Sequence, residues 1–411
     1  MFCAARLAIV SLTLVSVAAC ADHTPLEPGR TPSYVGATGQ FVAVIPRDPT
    51  QFVSISSGLN HACARQAGGD VYCWGAGDNT QVGTSTFDPC QGECVIAPTF
   101  ILNAAQIDAS GNRTCALGAA GRPAGATNAL CWGGGHGFIK SWVYGSLDFR
   151  SISAGGGFNS CGPTSAGIQC WDFGSVASIR WGGSFYGQTA VTGSYGCAIE
   201  TGGGSFLDCW GDNSSGQTAM DPSQFPSPQT ILRTPLGSAV THVSTGGSFT
   251  CADQSAGIVN CFGVDDLGQL GFGVISAIPG WTFQVETVSM LSCAAFTGCS
   301  LVPAPLHGVS AGVHHACALD TSGAAFCWGD NRYGQLGNGT KSSSAFAIAI
   351  AGGHTFRAIA AGYTRTCAIG TDNVIYCWGT GTHGELGTGV ASDVSLFPKP
   401  TAALRLSVPA P

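Results

Sequence analysis

Cysteine carries the clearest chemistry in this chain, through both its number and its spacing. There are 20. Seven pairs recur with related flanks: Cys63/Cys73, Cys115/Cys131, Cys161/Cys170, Cys197/Cys209, Cys251/Cys261, Cys317/Cys327 and Cys367/Cys377. Cys90/Cys94 and Cys293/Cys299 complete the set once Cys3 and Cys20 are set aside with the N-terminal segment. An even set of thiols can oxidise to disulfides or hold metal. Zinc sites use C-x2-C units, whereas these pairs are wider apart and are followed by Trp-Gly, which favours disulfides. Pairing within each repeat is the simplest connectivity, although spacing alone does not prove it. Cys90 and Cys94 come nearer to a ligand spacing, but they make a complete pair and read as a loop staple. No metal and no cofactor are expected.

Acid, base and nucleophile sets are sparse. His61 and His315 both stand two places before the first cysteine of a pair, which is a structural pattern rather than two catalytic sites. Glu27, Glu93, Glu200, Glu286 and Glu385 are scattered over different segments. Asp265 and Asp266 are adjacent, and on a strand they would point to opposite faces, so they could not act as a facing acid and base pair. Asp78-Asn79, Asp212-Asn213 and Asp330-Asn331 resemble calcium ligands, yet each follows the C-W-G of its repeat, where Asp and Asn favour tight turns. Gly379, Gly381 and Gly384 form a literal G-x-G-x-x-G with no helix pattern behind it, so they too read as a turn. No catalytic residues are expected.

The elements that would position these residues are short strands. In Val309 to Thr340, VSAGVHHACALDTSGAAFCWGDNRYGQLGNGT, the runs Ala316–Leu319 and Ala324–Trp328 are too short for helices and flank a turn composition, Asp-Thr-Ser-Gly. Their cysteines would face each other across a hairpin. A unit of this length cannot bury its apolar face alone and is stabilised by stacking on neighbours. The pattern of I-x-x-G, then H-x-C-A-L, then Y-C-W-G-x-N-x-x-G-Q-L-G resembles the regulator of chromosome condensation repeat from about Phe52 to the C-terminus. The resemblance implies an all-β, seven-bladed β-propeller of four-stranded blades over residues 41–411. The third blade should be the most reduced, since Cys161 and Cys197 are the most closely spaced successive first cysteines. A strand from Phe41 to Ile45 is expected to close the ring on the last blade.

Residues Met1 to Cys20 carry an early Arg6, an apolar run from Leu7 to Val17, and Val-Ala-Ala-Cys, which reads as an export signal with a lipobox-like end and Cys20 as the lipidation site. Cleavage near Ala19 as an ordinary secretory signal is the other possibility. Residues 21–40, rich in Pro, Gly and Thr, read as a flexible tether. The expected location is therefore the bacterial cell envelope, as a lipoprotein, or the medium, with the membrane reached only through the N-terminal lipid. A formal net charge of −7 argues against nucleic-acid binding. Export also removes the nuclear setting in which members of the resembled family act on chromatin and a small GTPase.

Function is then expected at the surface. In the resembled family the repeats are scaffold and loops on one face of the ring meet a partner; exported bacterial members that inhibit β-lactamases bind that way. The stretches that depart from the repeat are aromatic, which makes Phe138, Trp142, Tyr144, Trp181, Phe185, Tyr186 and Trp281 the candidate binding residues. The expectation is a monomeric, non-catalytic propeller that binds an unidentified envelope or extracellular protein or glycan. The alternative is a hydrolase or lyase with its site in the central channel, which would show as converging carboxylates or histidines.

Overall fold

The computed structural model describes residues 48–402, apart from 91, 135–139, 147, 156–159, 173–174, 182–184, 228–230, 238, 274–280 and 295–297. Among the described residues every regular element is a β-strand. The repeat hairpin has the same form throughout: an inner strand such as Leu306–Ala311, a second strand His315–Asp320, and a third strand Ala325–Gly329. An outer strand, Ser344–Ala349, completes the sixth repeat. The strands are short because each must cross a blade only once. Turn-forming Asp320 ends the second of them, its carboxylate accepting the amides of Ser322 and Ala324 at 2.8 and 2.9 Å.

The expectation of seven separate four-stranded blades is corrected: the strands form six hydrogen-bonded sheets. The second and third repeats share one seven-stranded sheet, because Ser141–Tyr144 and Ser175–Trp181 pair in parallel at Tyr144 and Ser175. Parallel pairing arises where the third repeat, cut short as its cysteine spacing indicates, lays its outermost strand along that of the second. The sixth repeat's sheet grows to six strands by taking on the inserted hairpin Ser289–Ala294 and Gly298–Pro303, docked through Met290 and Ala347. The first has five, since Asp88–Cys90 folds back on Gly92–Asn103.

Cysteine pairing follows the hairpins. Cys63–Cys73, Cys115–Cys131, Cys161–Cys170, Cys197–Cys209, Cys251–Cys261, Cys317–Cys327 and Cys367–Cys377 are bonded within their own repeats, as is Cys90–Cys94 within its loop. Each repeat pair occupies directly opposed positions on antiparallel neighbours, as Cys317 and Cys327 do. By backbone register Cys293 and Cys299 are also opposed.

The core lies between repeats rather than within them. One cluster joins Ile369, Ile375 and Leu386 of the last repeat to Val71 and Trp74 of the first and to Ala116 and Trp132 of the second. Closure therefore uses the same apolar contact as every other junction. Phe41–Ile45 lies outside the described residues, and the last sheet is already four-stranded from its own repeat, with Ser392–Pro400 as its outer strand.

Candidate functional site

The glutamine or glutamate that closes most repeats explains itself at the junctions. The backbone carbonyl of Gln81 accepts the Trp132 indole N–H at 3.0 Å and the Thr114 hydroxyl at 2.8 Å, both from the next repeat. Gln335 serves Trp378 and Thr366 in the same way, each at 2.9 Å. Glu385 stands at this position in the last repeat, and its carbonyl takes the Trp74 indole of the first at 3.0 Å, which closes the ring. Trp74, Trp132, Trp328 and Trp378 are thus inter-repeat bolts, all buried and away from any binding surface.

The residue two places before the first cysteine also reaches forward. His61 Nε2 lies 2.7 Å from Thr114 Oγ1, and His315 Nε2 2.9 Å from Thr366 Oγ1. Because each threonine hydroxyl already donates to a glutamine carbonyl, each imidazole must be the donor, with its proton on Nε2. Nδ1 of both rings has no partner. Burial without an acceptor for a second proton, reinforced for His61 by the nearby Arg365 charge, holds both groups down to about 3. At the same position Tyr195 donates to Phe249 O at 2.5 Å, and Arg365 donates to Leu59 O at 3.0 Å, Gly58 O at 3.3 Å and His61 O. Arg365 is wholly buried, and burial lowers its guanidinium to about 10, still charged at neutral pH.

Seven inner segments, residues 55–57, 106–110, 151–153, 188–191, 242–245, 307–311 and 357–361, line a central cavity of about 400 Å³. Its polar side chains are mostly spent on the wall. Ser56, Ser153, Ser244 and Ser310 each accept an amide of the following inner segment, at Ala109, Val191, Ala311 and Ala361, within 2.9 to 3.0 Å. Asp108 takes that place in the second repeat, accepting Ala154 N and the Ser56 hydroxyl, both at 2.7 Å, while burial pushes its carboxyl up. One step earlier, Gln106 donates to Ile152 O at 3.1 Å and accepts Ile152 N at 3.2 Å, and Gln188 brackets Val243 likewise. His242 donates to Val309 O at 3.1 Å but cannot accept as well; its cross-strand partner Asp253 accepts Val309 N at 3.3 Å instead. A histidine and an aspartate together replace one glutamine.

Chemically, the cavity wall offers one carboxylate, Asp108, with both oxygens engaged. Glycoside hydrolysis needs two facing carboxyl groups, and nucleophilic catalysis a nucleophile beside its base. Asp265 and Asp266 sit in a turn rather than on a strand as the sequence reading assumed, where they accept Leu270 N at 3.0 Å and the Gln269 amide at 2.8 Å. Asp330 pairs with Arg332, and Asn331 caps its turn by accepting Leu336 N at 3.0 Å. These positions are turn chemistry, as expected.

The aromatic candidates divide. Tyr144 and Phe185 are exposed, 54% and 61%, enough to meet a partner. Tyr144 pairs with Ala126, beside the hairpin tip of the second repeat, and Phe185 O accepts Thr201 N at the hairpin tip of the fourth, so both lie on the hairpin-tip face. The Arg150 guanidinium lies 5.6 Å from the Phe185 ring centre. Trp142 is half-buried, opposite Leu130. Tyr186 is interior, its hydroxyl 3.2 Å from Asp208, and this corrects its candidacy: it fills the sheet rather than facing a partner. Trp181 and Trp281 begin or end strands but their side chains, like Phe138 as a whole, lie outside the described residues. Sequence reading missed Tyr333 and Tyr363, exposed at the other mouth, because they sit inside well-matched repeats.

The repeats themselves find matches among known proteins. Residues 52–81, 307–335 and 356–385 match the regulator of chromosome condensation (RCC1) repeat model, and a second model of that description matches residues 322–369. The human E3 ubiquitin-protein ligase HERC2 is 26% identical over 300 residues, 70% of this chain but 5% of HERC2. The probable E3 ubiquitin-protein ligase HERC6 of Homo sapiens is 33% identical over 131 residues, 31% of this chain and 12% of HERC6. The chain therefore spans a small part of these relatives. In fold, Prp20p from Saccharomyces cerevisiae is similar at a TM-score of 0.52 and 17% identity, covering 87% of this chain and 78% of that one. The CRINKLY WD40 ectodomain of the Arabidopsis thaliana receptor kinase ACR4 is similar at 0.50 and 17%, covering 84% and 99%. With its matched repeats and the tryptophan bolts between them, this chain is a β-propeller that carries regulator of chromosome condensation repeats over residues 52–81 and 307–385.

Proposed function

We infer that the protein is an exported, non-catalytic binding propeller that presents its hairpin-tip face to a protein or glycan. The observation that carries this reading is the exposure of Tyr144 and Phe185 on one face, while the polar groups of the channel are occupied in holding the wall together. Exposed aromatics backed by rigid strands are good interface anchors, since little side-chain freedom is lost on binding. Disulfides in every repeat favour an oxidising compartment, which agrees with the export signal read in Met1–Cys20. Lipidation at Cys20 follows from the lipobox-like Val-Ala-Ala-Cys and would tether the ring to a membrane through residues 21–40.

Capture from host envelope material tests the reading. Tyr144→Ala and Phe185→Ala should each weaken partner retention by about tenfold or more, with Tyr363→Ala, exposed at the other mouth, as a control. Undiminished capture by the double variant would remove the hairpin-tip face as the binding site. For the anchor, palmitate labelling should mark the native protein and vanish in Cys20→Ser; unlabelled native protein would leave secretion.

A further inference from the structure

At the mouth of the channel on the hairpin-tip face stand Arg357 and His307. Arg357 interrupts the regular pairing of its inner strand between Phe356 and Ala358, and a bulge of this kind re-aims a side chain. Its guanidinium is then held from below: Nε donates to Gly370 O at 3.1 Å, and Nη2 to Gly370 O and Thr371 O at 2.8 and 3.0 Å. Nη1 is left over. No carboxylate pairs with Arg357 among the described residues, in a chain whose formal charge is −7. His307, on the neighbouring inner strand, is exposed and makes no hydrogen bond among the described residues. Both line the central cavity, together with His242, whose Nε2 is engaged with Val309 O. Two carboxylates lie nearby. Asp108, the only one on the cavity wall, has both oxygens accepting hydrogen bonds, and Asp253 behind the histidines accepts the amides of Gly308 and Val309.

An arginine fixed by two carbonyls, with Nη1 left over and the residue lining a cavity of about 400 Å³, is preorganised for an oxyanion. We propose that this mouth is a binding site for a small carboxylate- or phosphate-bearing molecule, held by Arg357 and His307. The cavity is of the size that takes a small organic anion rather than a folded segment. The wall is built for persistence, since its other polar groups stitch successive repeats and need not rearrange when the anion enters. This site is independent of Tyr144 and Phe185, so it stands or falls separately from partner capture.

Isothermal titration of the full-length protein with citrate, and separately with inorganic phosphate, at low ionic strength and pH 6 tests the proposal. One-to-one binding of at least one of them is expected. Arg357→Gln and His307→Gln should each weaken it by about tenfold or more, the usual consequence of losing a charge-assisted hydrogen bond. Because Arg357 also pins its hairpin, Arg357→Lys provides a second reading: charge is kept and the fork is lost, so affinity should fall between native and Arg357→Gln. Absence of binding by both anions, or binding that His307→Gln and Arg357→Lys leave unchanged, would overturn the site. Binding of a polyglutamate peptide with neither small anion bound would also overturn it, because the mouth would then be a contact for an acidic partner.

Discussion

Protonating His61 or His315 would put a second N–H on a ring whose Nδ1 faces no acceptor, inside a fully buried junction. Both groups are depressed to about 3, below the ordinary imidazole value of 6.5. For a group depressed on folding, the unfolded chain binds the proton more tightly, so the stability contributed is present above pH 6.5 and is lost as pH falls toward 3. Each histidine should make unfolding easier by about 1.4 kcal/mol per pH unit across that window. Urea titrations between pH 7 and pH 4, with disulfides intact, should show this slope. His61→Gln and His315→Gln, which keep a donor for the threonine without a titrating ring, should flatten it; an equal slope in the double variant would show that the acid sensitivity comes from elsewhere.

At the scale of the element, the glycine that ends each inner strand is held by its neighbour. A Cβ on Gly312 would come within 2.2 Å of Gly362 O, and one on Gly246 within 2.5 Å of Gly312 O, both against backbone that cannot yield cheaply. Gly203, at an exposed hairpin tip, has nothing within 4 Å. Gly312→Ala should therefore cost about 2 kcal/mol or more in urea unfolding, whereas Gly203→Ala should fall within about 0.5 kcal/mol of native. The disulfides act on the same hairpins. Cys317 and Cys327 close a loop with a sequence separation of 10, and replacing both by alanine should remove about 3 kcal/mol by the chain-entropy account. Binding through the hairpin-tip face should survive, because the bond lies between strands. Peptide mapping without reduction should return each repeat pair linked within itself.

At the scale of the whole molecule, Arg365 reinforces the ring closure that the Glu385–Trp74 bond makes. Arg365 supplies three hydrogen bonds from the last repeat to backbone carbonyls of the first, at a position held by His61, Arg113, Tyr195, Phe249 and His315 in other repeats. Arg365→Met fills similar volume but leaves those carbonyls to find other donors. A loss of about 3 kcal/mol or more is expected, since each buried unpaired group costs roughly 1 to 3 kcal/mol. Hydrogen exchange should then rise first at Gly58 to His61 and at Arg365 itself, the two sides of the seam. Faster exchange confined to an interior junction, such as that between Gln217 and Thr250, would show that closure does not limit stability.

The sequence by itself determined what recurs. Paired cysteines, turns such as Asp-Thr-Ser-Gly and C-W-G followed by G-Q-L-G specify hairpins through local spacing, and a repeated local pattern reports a repeated unit. That is why strand class, disulfide partners and the turn role of Asp330-Asn331 were legible. Only the tertiary structure decided what passes between repeats: the sharing of one sheet by the second and third, the interior place of Tyr186, the duty of His61 and Arg365 as bolts, and the unpaired Arg357 at the channel mouth. Those facts depend on side chains or strand edges meeting partners 20 to 300 residues away, as Tyr186 meets Asp208 and Arg365 meets Leu59 across separations of 22 and 306. No local period encodes such a meeting. It is settled when the ring closes, and each junction then fixes which polar groups are consumed and which remain free to bind.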